Sequence, residues 1–378
     1  MPVNPVLAGM GTYPFVRLRE AREAAAARGI DVIDFGAGEP REETPAFIAE
    51  ALVDALRADP VSTYPAAEGL SELRAAIAAW TGLRFGAPLD PDTEIVPTLG
   101  TKEAIFSLPQ VLCGPGDKVA IPTPGYPVPS RGALFAGCDV VDVPLDPTRG
   151  WQPDLDAIDW GAISLLWLNF PGNPTAATAT LELYERAAAL AREHDVVVAC
   201  DEAYSELWFA GAPPVSALQL ADRTNVLALN TLSKRSSMPG YRSGFVAGDP
   251  RLIAAVKRYR PNAGVAPQAF VQRAAVAAWG DEEHVAEVRE RYRAKRAALL
   301  PALLAAGLEP SGGDATFFLW LRVPGGEDAE AYAMRMLDER GIVVTPGPYF
   351  GPGGAGHVRV ALVPGLADCE RAADRLAG

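Results

Sequence analysis

The segment Thr231-Leu-Ser-Lys-Arg-Ser-Ser-Met-Pro-Gly-Tyr-Arg-Ser-Gly244 sets the hydroxyls of Thr231 and Ser233 beside Lys234 and brings Arg242 eight residues later. Two hydroxyls and a guanidinium fork suit a phosphate dianion. A lysine held beside such a phosphate is placed to form an imine with an aldehyde cofactor. The same composition also suits a basic surface loop. In Val197-Val-Ala-Cys-Asp-Glu-Ala-Tyr204, Asp201 is the first polar residue after an apolar run, so it falls at a strand's carboxyl end. A carboxylate there can keep a pyridine nitrogen protonated, and it can equally cap a helix. Tyr204, three residues on, suits donation to a ring oxygen or plain aromatic packing.

Weaker signals accompany these. Leu99-Gly100-Thr101-Lys102 leads from a strand into a helix, whose exposed N–H groups make an anion site. Asn173 stands between Pro171 and Pro174, rigidly presented or an ordinary turn residue. Arg359 sits amid apolar neighbours in His357-Val-Arg-Val-Ala361; facing a cleft it would clamp a carboxylate bidentately, and on an edge strand it would face solvent. Gly351 to Gly356 fits the pattern GxGxxG, but a strand follows where a dinucleotide site needs a helix, so it reads as a flexible loop. His194 reads as a solvated helix cap, His284 as part of a charged helix face and His357 as a neighbour of Arg359. None has a metal-like partner, and the four cysteines show no CxxC spacing.

Elements must carry these groups. Short apolar runs at 94–97, 118–121, 139–143, 163–168, 196–200, 226–229 and 244–247 have the near-continuous hydrophobicity of strands covered on both faces. Helical patterns at 101–111 and 180–193 lie between them, which predicts a mainly parallel sheet flanked by helices over roughly residues 40 to 270. Thr44-Pro45 predicts an N-cap and first turn for a helix over 45–56. Beyond Pro267, helices at 269–279 and 284–304 precede strands at 317–323 and 358–363. The chain is therefore expected to be an α/β protein with a smaller α+β domain. Residues 41–267 would form the large domain and 268–378 the small one, with residues 1–40 packing beside the latter. Ligands of open α/β sheets gather outside the carboxyl ends of the strands.

Composition bounds the function. The 378 residues carry a net charge of −13, which excludes a nucleic-acid footprint and any basic surface for membranes. The longest nearly apolar stretch, 297–308, is too short to cross a bilayer and contains Pro301. No basic segment followed by an apolar run opens the chain, so a cytoplasmic protein with reduced thiols is expected.

Taken together, the motifs resemble the fold-type I pyridoxal-phosphate aminotransferases of class I/II, along nearly the whole chain. The resemblance implies pyridoxal 5′-phosphate as cofactor and Lys234 as its Schiff-base lysine. Thr231, Ser233 and Arg242 then match its phosphate ligands, as do Gly100, Thr101 and Lys102 at a helix start. Tyr126 falls where the family stacks an aromatic ring on the cofactor. Asp201 matches the partner of the ring nitrogen, and Asn173 and Tyr204 the donors to the ring oxygen. Gly38, Asn173 and Arg359 match the substrate contacts. Tyr64 matches a tyrosine that reaches the neighbouring subunit's cofactor, which implies a homodimer with shared sites.

Asp201-Glu-Ala-Tyr-Ser-Glu-Leu207, Ser233-Lys-Arg-Ser-Ser-Met-Pro-Gly-Tyr-Arg-Ser-Gly244 and Gly356-His-Val-Arg-Val-Ala-Leu-Val363 are most similar to the N-succinyldiaminopimelate aminotransferase group of lysine biosynthesis. Ala176 stands where the family usually has glycine, and Thr231 where serine is common. The resemblance implies transfer of an amino group from N-succinyl-L,L-diaminopimelate to 2-oxoglutarate. An aspartate or aromatic aminotransferase, or a C–S lyase, would need the same cofactor residues. A non-catalytic regulatory module would need a basic DNA-binding domain, for which residues 1–40 are too short. The distal carboxylates require a cation, with Arg41, Lys102, Arg131 and Arg235 as candidates.

Overall fold

The computed structural model describes residues 3–11, 14–61 and 63–378. Its strands, in chain order, are β1 (Ile33–Asp34), β2 (Ile95–Thr98), β3 (Lys118–Thr123), β4 (Asp139–Asp146), β5 (Gln152–Pro153), β6 (Leu165–Asn169) and β7 (Val197–Asp201). There follow β8 (Val226–Thr231), β9 (Gly244–Gly248), β10 (Glu309–Pro310), β11 (Phe318–Arg322), β12 (Ile342–Val343), β13 (Thr345–Pro346) and β14 (His357–Ala361). The large sheet has the order β2-β9-β8-β7-β6-β3-β4-β5. From β8 through β7, β6 and β3 to β4 the neighbours are parallel. β9 runs against both β8 and β2, and β5 against β4.

Every residue of β2, β8 and β9 is buried, as strands covered on both faces must be. Side chains alternate between the two covers. Along β6, Leu165 and Trp167 pack with Ile105 and Leu108 of the Thr101–Leu112 helix and Ile253 of Pro250–Ala263. Leu166 and Leu168 instead join Trp80, Ala187 and Trp279, from the Ser71–Phe85, Leu181–His194 and Ala269–Trp279 helices.

The smaller sheet is antiparallel throughout, in the order β10-β11-β14-β13. β1 pairs in parallel with β12 beside it, and Ala361 N donates to Phe35 O at 2.8 Å, so the segment after β1 is bound to β14. Phe317, Phe318, Tyr292 and Met336 fill the core under this sheet.

Three sequence expectations change. The expected N-cap Thr44 instead donates its hydroxyl to Ser237 O at 2.7 Å, and the helix begins at Ala46 with Pro45 as its cap residue. His284 is buried, not on a charged face. Its Nδ1 lies 2.5 Å from Asp281 Oδ1 and its Nε2 2.8 Å from Ser236 Oγ, because the first turn of the Glu283–Ala305 helix docks on the loop after Lys234. Arg235, a candidate distal cation, is buried against Trp80 and Trp279 and donates to Ala278 O at 2.7 Å and to Glu282. Among the described residues, no helix is long and apolar enough to cross a membrane, and no cluster of side chains suits a metal ion.

Candidate active site

β6 and β7 end level with each other, at Asn169 and Asp201, and β8 runs two residues further, to Thr231. Their carboxyl ends open into a cavity of about 620 Å³ closed on the far side by β14 and the segment after β1. It is lined by Gly38, Thr101, Lys102, Tyr126, Asn173, Asp201, Tyr204, Thr231, Ser233, Lys234, Arg242 and Arg359. The fold thus gathers twelve residues singled out from the sequence, although they lie more than 300 positions apart.

One end of the cavity is built for an anion. Thr231 is extended at the strand end, and its Oγ1 lies 3.0 Å from Ser233 Oγ. Arg242 takes a left-handed φ of 55° and straps the neighbouring turn, donating through Nη2 to Leu99 O and through Nη1 to Pro239 O, both at 2.8 Å. Gly100 has φ 75°, and a Cβ there would lie 2.8 Å from Arg242 Nη2. It lacks one so that the arginine can close on the first turn of the Thr101–Leu112 helix. Hydroxyls, guanidinium and helix N–H groups together have the chemistry to cradle a phosphate.

Lys234 Nζ donates to Gly38 O at 2.9 Å and lies 5.5 Å from the Phe317 ring centre. Burial lowers its affinity for a proton, and Arg359 and Arg242 lower it further against the pull of Glu39 and Asp201, bringing the pKa to about 8. Asp201 is raised to about 7 by burial, opposed by the Ala203 N–H and by Lys234. A buried carboxylate so poorly served by donors is matched to a ring nitrogen that brings its own proton. Tyr204 packs edge-on against Phe317 and Phe318, and burial raises its phenol above the ordinary value.

Arg359 is buried. It donates through Nη1 to Asn173 Oδ1 at 2.9 Å and through Nη2 to Gly36 O at 2.7 Å, and lies over the Phe318 ring at 4.3 Å. Gly36 O also accepts from Thr345 Oγ1 at 2.9 Å. A Cβ on Gly38 would lie 3.5 Å from Arg359 Nη1, so the bare backbone leaves the guanidinium accessible. With its Oδ1 taken, Asn173 has its Nδ2 donor to offer. Phosphate cradle, carboxylate, amide donor, phenol and lysine therefore fit pyridoxal phosphate as a set.

Some residues stand apart. Tyr64 is fully exposed and outside this cavity. Of the distal-cation candidates only Lys102 lines the cavity: Arg41 pairs with Asp34 at 3.3 Å, Arg131 is elsewhere on the Val128–Phe135 helix, and Arg235 is buried as described. Sequence reasoning missed Asn169, whose Nδ2 donates to Asp201 O at 2.9 Å while its Oδ1 accepts from Asn173 N at 2.8 Å. Its signal was a polar residue closing an apolar strand, as Asp201 closes β7. Phe15 and Glu39 also line the cavity unannounced. Ala176, in the usual glycine's place, has a left-handed φ of 56°.

Residues 30–376 match the family model of aminotransferase class I and II. The chain is 37% identical over 369 residues to an LL-diaminopimelate aminotransferase of Aquifex aeolicus, covering 96% of this chain and 95% of that one. An aminotransferase of Neisseria meningitidis superposes with a TM-score of 0.91 at 35% identity over 99% of both chains. A probable N-succinyldiaminopimelate aminotransferase of Thermus thermophilus superposes with a TM-score of 0.89 at 30% identity, covering 96% of this chain and 98% of that one.

Proposed function

Because the chain belongs to the class I and II aminotransferases, we propose that it moves the amino group of a donor with the diaminopimelate skeleton onto 2-oxoglutarate. It is a pyridoxal-phosphate-dependent aminotransferase. The bound cofactor supplies an aldehyde that condenses with amines and a ring that accepts electrons from the substrate α-carbon. The names of the relatives support the donor, in its free or N-succinylated form.

The observation that carries the reading is the convergence of Lys234, Asp201, Arg242 and Arg359 on one cavity. In this reading Thr231, Ser233, Arg242 and the N–H groups after Gly100 hold the phosphate, and Tyr126 covers the ring. Asp201 faces the ring nitrogen, while Asn173 and Tyr204 donate to the ring oxygen. Arg359 holds the donor's α-carboxylate beside Gly38, which turns the α-C–H toward Lys234. Lys234 Nζ, with a proton affinity near neutrality, takes the α-proton and later returns one. The Lys102 ammonium receives the far carboxylate of the acceptor. Tyr64, fully exposed, would serve a neighbouring subunit's cavity in a cytoplasmic homodimer. The 1–40, 41–267 and 268–378 division is kept as part of this proposal.

The test is a donor panel on purified holoenzyme, following loss of the bound cofactor's absorbance. LL-diaminopimelate, its N-succinyl derivative, glutamate, aspartate and an aromatic amino acid are compared. Rapid conversion by glutamate and a diaminopimelate donor is expected. Preference for aspartate or aromatics would overturn the donor, and release of pyruvate and ammonia would overturn amino transfer.

A further inference from the structure

The cavity carries two charged side chains that the contacts above leave with spare capacity. Glu39 and Lys102 line it, and neither forms a hydrogen bond or close ion pair with another described residue. Both are exposed to the cavity's solvent, and they have opposite signs. Glu39 is held in place by its backbone. It follows Gly38, whose carbonyl accepts from Lys234 Nζ at 2.9 Å, and precedes the buried Pro40. Its charge, like that of Asp201, favours the protonated form of Lys234.

We propose that Glu39 is a specificity-determining residue, whose carboxylate receives a free ammonium group at the far end of the amino donor while Lys102 receives the far carboxylate. Resting on the diaminopimelate reading above, it chooses between the two forms of that donor. Free LL-diaminopimelate ends in an ammonium and a carboxylate, the complement of this pair. N-succinylation turns the ammonium into a neutral amide and adds an anion, which Glu39 repels. A donor that fills the cavity displaces the water that now screens Glu39, so the pairing strengthens when the site is filled.

The experiment compares LL-diaminopimelate with L-2-aminopimelate, which has the same chain and lacks only the second amino group, using holoenzyme and the ratio of their kcat/KM values. In the unaltered enzyme the ratio should favour diaminopimelate by about tenfold or more, as a charged hydrogen bond does. Glu39→Gln should collapse that preference, and Glu39→Asp should restore part of it. An influence of Glu39 exerted only through the Lys234 proton would shift both donors alike and leave the ratio unchanged. An unaltered enzyme without preference, or a Glu39→Gln enzyme that keeps it, would overturn the proposal. Turnover of the N-succinyl derivative alone would overturn this inference and keep the diaminopimelate reading, and turnover of none of the three would overturn both.

Discussion

Arg359 Nη1 and Asn173 Oδ1 share a hydrogen bond of 2.9 Å, which joins the small sheet to the loop after β6. In the proposed function this pair couples the substrate contact to the cofactor contact. Arg359→Lys keeps the charge but loses the fork that reaches Asn173 and Gly36 together. It should lower kcat/KM about 100-fold for both alanine and glutamate, the scale of breaking a buried charged pair. It should also weaken cofactor binding in a titration of the apoprotein. Cofactor affinity equal to that of the unaltered protein would show that the bond transmits nothing.

Gly100 is the second sensitive point. Alanine there meets a left-handed φ and a Cβ 2.8 Å from Arg242 Nη2. The guanidinium must retreat from the phosphate cradle, so cofactor affinity should fall about tenfold or more for a strain of a few kcal/mol. Equilibrium dialysis with pyridoxal phosphate measures it, and unchanged affinity would place the phosphate elsewhere.

Lys102 and Arg235 separate specificity from stability. Lys102→Ala should raise the KM for 2-oxoglutarate about tenfold and leave that for pyruvate nearly unaltered, because only the former brings a second carboxylate. Arg235→Ala leaves Ala278 O without its donor and opens a cavity beside Trp80 and Trp279, and should cost about 2–5 kcal/mol in denaturant unfolding. Any KM change in that variant should not distinguish the two acceptors. A dicarboxylate-selective effect of Arg235→Ala would contradict the assignment.

Lys234 gives a pH prediction with a definite sign. Its proton affinity in the folded protein is lowered to about 8 by burial and by Arg359 and Arg242. The neutral amine reacts with aldehydes, so cofactor uptake by the apoprotein should accelerate with pH and level off above about 8. In the unfolded chain the group titrates near its ordinary value of about 10.4, so the unfolded state binds more protons between the two values. This group's contribution to stability therefore rises with pH across that window. Urea unfolding of the apoprotein should show that slope, and Lys234→Met should lack it.

The strands and the residues closing them were legible in the sequence because burial on both faces demands unbroken apolar runs, and the first polar residue marks the sheet's edge. Asp201 was found this way, and Asn169 was there to be found, whereas Thr231 came from the hydroxyls gathered beside Lys234. Arg235 and His284 misled, because a charged residue in a helix or loop reads as solvated until its cover is known. The covers of Arg235, Trp80 and Trp279, come from helices nearly 200 positions apart. Glu39 carried no signal at all: its meaning depends on lining one cavity with Lys102 and Lys234, a relation between segments and not within one. Thr44 shows the limit of capping rules, since a nearer acceptor at Ser237 O takes the hydroxyl that the helix was expected to use.

Gly36 O accepts from both Arg359 and Thr345, so the backbone leading to Gly38 and Glu39 is tied to β13 and β14. The two grips proposed for a donor, Arg359 for its α-carboxylate and Glu39 for its far ammonium, thus belong to one hydrogen-bonded frame. Lys234 sits in the short helix Leu232–Arg235 that follows β8 of the large sheet. In the proposed reading the distance between these two grips sets the length of donor that the cavity accepts, and the bond from Lys234 Nζ to Gly38 O ties the lysine to the same frame.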